Sequence, residues 1–214
     1  MRARYVIPAL LLSLFGLAAG SWAAPAPEDV KLNEAFRPAP AAEWPSHMSI
    51  GPVQFASVRY GPEADTRPIF GKTDLASFGI LPVLLIIENK GDQNLMLDTM
   101  RIEYMAPGGV RLVPTPPREL PYLISPKRPN TGAKYPMPIP LPKKKNPLTE
   151  IALDSRAWGA RNIMPGETAY GFFYFQTEWR PGAYLYINGI REARTQKDLF
   201  YAEVPMDLPT DAKR

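Results

Sequence analysis

His47 is the single histidine of this chain, and there is no cysteine, so the residues able to do chemistry are few. A Ser-His-acid triad or an imidazole metal site would have to be built on His47. It follows Pro45 where a proline-rich stretch meets the first apolar segment, a place that predicts a solvated side chain. Without a thiol there is neither a thiolate nucleophile nor a zinc ribbon. The chain also lacks a Gly-x-Ser-x-Gly elbow and a phosphate-binding glycine loop. Carboxylates remain, and glycoside hydrolysis needs only two of them. Glu88, Asp92 and Asp98 lie close in sequence, while Glu150 and Asp154 would share one face of a helix. Glu88 and Asp92 flank a turn, however, where acids commonly sit. Asp92-Gln93-Asn94 lacks the repeated acids and closing glutamate of a calcium loop. The expectation is a non-enzymatic protein, with no catalytic, cofactor-binding or metal-ligating residue assigned.

Two groups of residues suit binding better than catalysis. Tyr170, Phe172, Tyr174, Tyr184, Tyr186 and Tyr201 could build a stacking platform for a sugar or a peptide, because tyrosine pairs a flat apolar ring with a polar tip. The competing expectation is that they form the core and its margins. Tyr135, Pro138 and Pro140, with Lys143, Lys144 and Lys145 after them, form a candidate docking arm. Prolines hold such a segment extended before a partner arrives. The plain alternative is a proline-rich loop whose charged end keeps it soluble.

The elements that must position these residues read mostly as strands. Residues 79–91, "GILPVLLIIENKG", are too short to cross a bilayer, and Ile80 to Ile87 has the Val/Ile/Leu content of a strand buried on both faces. Glu88 to Asp92 supplies the residues that stop it. Thr73 or Asp74 is positioned to cap a short helical turn ending at Gly79. Met48 to Tyr60 is expected to be the first strand. Leu95 and Leu97 point one way, whereas Met100, Ile102 and Tyr104 continue the apolar face in the other parity, which predicts a β-bulge at Asp98-Thr99. Pro107-Gly108-Gly109 reverses the chain into a strand from Val110. Leu148, Ile151, Ala152 and Ser155 fall at helical spacing, with Thr149 as a possible cap. Met164 to Glu167 reads as a turn, followed by a central strand with Tyr170, Phe172 and Tyr174 on one face and Phe173 and Phe175 on the other. Ala183 to Ile190 and Leu199 to Met206 close the chain as two strands. Roughly seven strands without alternating long helices predict an antiparallel sandwich.

The N-terminus carries Arg2 and Arg4, an apolar run to Ala19, and small residues up to Ala24. This is the pattern of a secretory signal peptide over residues 1–23, cut before Ala24. The run is shorter than the ~20 residues that span a bilayer, so no stable membrane insertion is expected after cleavage. Absence of cysteine and of any Asn-x-Ser/Thr site leans towards a bacterial periplasmic or secreted protein. Losing Arg2 and Arg4 would lower the formal charge from +4 to +2, a balance that predicts no nucleic-acid partner. Most of the 26 prolines fall in two clusters. One lies in a linker over 24–46, expected to be extended, and the other is centred on an insertion over 114–147.

Three segments together, Phe78 to Asn89, "MPGETAYGFFYF" from Met164 to Phe175, and "DLFYAEVPM" from Asp198 to Met206, resemble a group of exported bacterial proteins of uncharacterised activity with immunoglobulin-like sandwiches. The resemblance covers residues 70 to 206. It rests on core and turn residues, so it implies fold and compartment and carries no functional residue. The resulting expectation is an all-β chain. A single immunoglobulin-like antiparallel β-sandwich over 47–208, with one or two short helices and a long proline-rich loop, is followed by a tail over 209–214. The expected role is an interaction module that engages another envelope component through its proline-rich loop. The alternative is a carbohydrate-active or hydrolytic protein that uses carboxylates and the tyrosine-rich strand face.

Overall fold

The computed structural model describes residues 36–123, 146–149, 151–199 and 201–206. The fold is mostly β, with three antiparallel sheets and a few short helices. In chain order the elements are β1 (His47–Ile50), β2 (Val53–Arg59), α1 (Glu63–Phe70), β3 (Ile80–Asn89), β4 (Leu95–Met96), β5 (Arg101–Ala106), β6 (Val110–Leu112), α2 (Ile151–Ser155), β7 (Asn162–Ile163), β8 (Thr168–Gln176), β9 (Tyr184–Asn188), β10 (Arg191–Glu192) and β11 (Ala202–Pro205). The first sheet has the order β1-β2-β3-β8, the second β11-β9-β5-β6, and a small third sheet β10-β4-β7.

Strand β3 organises the molecule because all of its residues are buried. Successive side chains of a strand point to opposite faces, so β3 feeds two cores. Leu81, Val83, Leu85 and Ile87 enter the core shared with Tyr104, Leu185, Ile187 and Val204 of the second sheet. Ile80, Leu84 and Ile86 enter another core, made with Phe70, Leu75, Leu120, Leu148 and Leu153 on the opposite face. Full burial of such side chains contributes about 1.5–3 kcal/mol each, which is why an unbroken apolar run is stable only between two covering layers.

The second core draws in segments expected to be a linker or part of a long loop. Residues 36–46 belong to the fold, not to an extended linker. Phe36 packs on Phe172 with ring centroids 5.7 Å apart, and Ala41 is fully buried in a 3-10 turn over Ala41–Glu43. Both ends of the proline-rich stretch fold as well. A 3-10 helix over Pro117–Tyr122 buries Leu120, and one over Pro147–Thr149 buries Leu148. The chemistry of these short helices is local. Prolines fix φ near the 3-10 range, and Asn146 caps the second one, its side-chain oxygen accepting from Leu148 N–H at 2.9 Å.

Several expectations hold in the structure. Asp74 accepts from Ala76 N–H at 3.1 Å ahead of a 3-10 turn that ends at a left-handed Gly79. Gly108 and Gly109 take positive φ between β5 and β6, and Gly166 does so in the turn before β8. Others are corrected. Met48 to Tyr60 is a hairpin, β1 and β2, folded at Gly51 with φ +56. The change of parity at Asp98-Thr99 is no bulge within one strand. The chain leaves the small sheet after β4 and joins the second sheet as β5, so the apolar face reverses at a corner between sheets. Ile151 is 82 % exposed, because α2 is short and turns Ala152 and Leu153 inward instead. Eleven strands are found among the described residues, since two expected strands are split and two further strands, β7 and β10, are only two residues long.

Strand β8 lies at the edge of its sheet and is not central. The middle of its free edge is nevertheless covered. Phe172 N–H donates to Arg156 O at 2.9 Å, Trp158 N–H donates to Phe172 O at 3.1 Å, and Thr115 N–H donates to Tyr174 O at 2.7 Å. Occupying these groups removes the template that an exposed edge offers to another chain. Gly171 makes the approach possible, since a Cβ there would lie 2.6 Å from Trp158 Cα.

Candidate ligand-binding recess on the second sheet

Most acids singled out in the sequence have structural partners. The Glu88 carboxylate is buried, accepts from Ala41 N–H at 2.6 Å and pairs with Lys90 Nζ at 2.6 Å. Burial pushes this carboxyl up, but the hydrogen bonds from Lys90 and Ala41 and the Lys90 charge outweigh it and hold it below the usual range. Asp98 receives Arg191 on both oxygens, at 3.1 and 3.0 Å. Asp154 is exposed and lies 3.9 Å from Arg118. Glu88 and Asp98 therefore serve two different contacts and do not form a pair facing one space. His47 is exposed, and its ring bonds to the Trp44 carbonyl. Tyr135, Pro138, Pro140, Lys143, Lys144 and Lys145, the candidate docking arm, lie outside the described residues.

The six aromatics divide between core and surface. Phe172 and Tyr174 are buried in the second core, where Phe172 meets Phe70 at 4.9 Å and Tyr60 at 5.3 Å. Tyr174 donates its hydroxyl to Leu153 O at 2.8 Å, and burial raises its ionisation well above the ordinary phenol range. Tyr170 lies at the margin and donates to Phe36 O at 3.3 Å. Tyr186 and Tyr201 behave differently. Their rings stack at 5.4 Å and 28°, and Tyr201 is 56 % exposed. The alternation of β9 explains the placement. Leu185 and Ile187 point into the core, so Tyr184, Tyr186 and Asn188 face outward.

This outer face forms one floor of a recess of about 640 Å³. Pairing of β9 with β5 sets Asn188 opposite Arg101. The wall comes from the 189–199 segment, which folds back on itself. Leu199 N–H donates to Ile190 O at 2.7 Å, Glu192 N–H to Lys197 O at 3.0 Å, and Ala193 N–H to Asn94 O at 2.8 Å. Gly189, with φ +75, lets the segment approach Thr99, whose carbonyl oxygen would lie 2.3 Å from any Cβ there. At the rim stands Gln196, the one non-glycine residue with positive φ among the described residues, at +55. Left-handed backbone is uncommon for such a residue and persists where surrounding bonds enforce it. Here Gln196 N–H donates to Glu192 O at 2.9 Å, and its side-chain amide donates to Ala193 O at 2.7 Å.

The recess thus joins stacked phenol rings to the side chains of Arg101, Asn188, Gln196 and Asp198. Those four were missed in the sequence because they converge from β5, β9 and the folded-back segment. Asn188 shares the parity of Tyr184 and Tyr186, the one local signal that could have added it to the platform. A second hollow, of about 560 Å³, lies beside β2 and α1 with Trp44, Tyr60 and Pro68 in its walls. There burial and the nearby Asp65 charge push the Tyr60 phenol up. Among the described residues no helix is long and apolar enough to cross a membrane. Comparison with known proteins finds no matching family model, no matching curated protein and no matching solved structure.

Proposed function

We propose that the protein is a non-enzymatic binding module with an immunoglobulin-like sandwich fold, exported to the bacterial periplasm or beyond, which engages another component of the envelope. Two four-stranded antiparallel sheets that share one core support the sandwich reading. The basic, apolar and small-residue order of residues 1–23 supports export. The single observation that carries the binding role is the stack of exposed Tyr201 on half-buried Tyr186 in the recess. Such rings left on an outer sheet face, among polar side chains not used by the core, form a surface suited to a ligand.

Co-sedimentation with an isolated bacterial envelope preparation tests this. The wild-type protein is expected to pellet with the envelope, and the Tyr186→Ala/Tyr201→Ala double variant to stay in the supernatant with an unchanged circular-dichroism spectrum. Equal pelleting of the two proteins would overturn the role given to this face.

A further inference from the structure

Resting on the reading of this face as a binding surface, we propose that the recess takes a neutral glycan, one pyranose ring lying on Tyr201 and its hydroxyls meeting Asn188, Gln196, Asp198 and Arg101. A pyranose has an apolar C–H face and a rim of hydroxyls. It therefore fits an aromatic ring bordered by amides and charged groups that accept and donate. The recess offers that set. The Tyr201 ring is exposed, and Asn188 has a side-chain amide that no described residue engages. Gln196 uses its amide N–H towards Ala193 O at 2.7 Å, which leaves its carbonyl oxygen as an acceptor.

Charge argues for a neutral ligand. Of the two arginines in the recess, Arg191 is committed to Asp98 at 3.0 and 3.1 Å, and Arg101 shares the lining with one acid, Asp198, so these four side chains carry no net formal charge. A polyanion would need uncompensated cations instead. Shape argues against an extended peptide, whose backbone binds by adding to the free edge of a sheet. The stack lies on the sheet face, where β9 is already paired on both sides by β11 and β5. The wall is preorganised as well. Gln196 holds its left-handed conformation through bonds within its own segment, so it needs no ordering when a ligand arrives.

Isothermal titration of the purified protein with cellohexaose, maltohexaose and chitohexaose tests the assignment. At least one is expected to bind with a Kd below roughly 1 mM. Tyr201→Ala should weaken that binding by about tenfold or more, and Asn188→Ala and Gln196→Gly should each weaken it. Tyr122→Ala, a change at another exposed tyrosine, should leave it unaltered. Failure of all three sugars to bind, or binding untouched by Tyr201→Ala, would overturn the glycan assignment. If the sugars fail while envelope co-sedimentation still depends on the tyrosine pair, the glycan assignment falls and the binding face stands. If co-sedimentation is also unaffected by the pair, both fall.

Discussion

Replacing Glu88 should unfasten the segment that precedes β1. The carboxylate is buried at the end of β3 and reaches 47 residues back, at 2.6 Å, to the N–H of the fully buried Ala41. A hydrogen bond to an ionised group contributes about 1.5–3 kcal/mol, and a stranded buried donor costs about 1–3 kcal/mol. Lys90 is half exposed, so its ion pair adds at most ~1 kcal/mol. Glu88→Ala should therefore destabilise the protein by about 2–4 kcal/mol, and Glu88→Gln, which keeps an acceptor, by about 1 kcal/mol. For a chain of this length, 2–4 kcal/mol corresponds to a fall in Tm of roughly 4–16 °C.

The acid limb gives an independent check. The folded-state pKa of Glu88 is held below its unfolded value by Lys90 and Ala41, which overcome the opposing effect of burial. Its contribution is complete above the unfolded pKa, about 4.3, and is lost as pH falls through the lower folded value. The stability gap between wild type and Glu88→Gln should therefore close below about pH 4.3. Urea denaturation across pH 3 to 7 measures both effects. A Glu88→Ala protein within about 0.5 kcal/mol of wild type at neutral pH, or a gap indifferent to acid, would refute the reasoning.

Gly171→Ala should push the Ala157–Trp158 backbone away from β8, because the new Cβ would sit 2.6 Å from Trp158 Cα. A loss of about 2–4 kcal/mol is expected, with faster hydrogen exchange at the Trp158 and Phe172 amides, whose bonds at 3.1 and 2.9 Å tie the two segments. Tyr174→Phe should cost about 1–2 kcal/mol by stranding the Leu153 carbonyl, a loss that thermal unfolding would register.

The parts of the fold readable in the sequence share one property: the signal is local. The apolar run of β3 ends in its own turn residues, and the reversal at Pro107-Gly108-Gly109 and the turn at Met164 to Glu167 use residues suited to positive φ or tight bends. Boundaries failed where burial depended on a distant partner. Phe36 and Ala41 read as linker because the groups that cover them, Phe172 and Glu88, lie far along the chain. The parity change at Asp98-Thr99 was visible, yet a bulge and a move between sheets leave the same trace in the sequence.

The candidate site divides in the same way. Alternation along β9 assigns Tyr186 to the face opposite Leu185 and Ile187, a consequence of strand geometry that any reader of the sequence can draw. Whether that face is covered or open is set by how the sheets stack. Tyr174 alternates equally well and ends buried, because Leu148 and Leu153 cover its side of the first sheet. Sequence by itself determined which side chains share a face. The tertiary structure alone decided which face meets water and which distant residues stand beside it, because burial is a property of two surfaces and each segment carries only one.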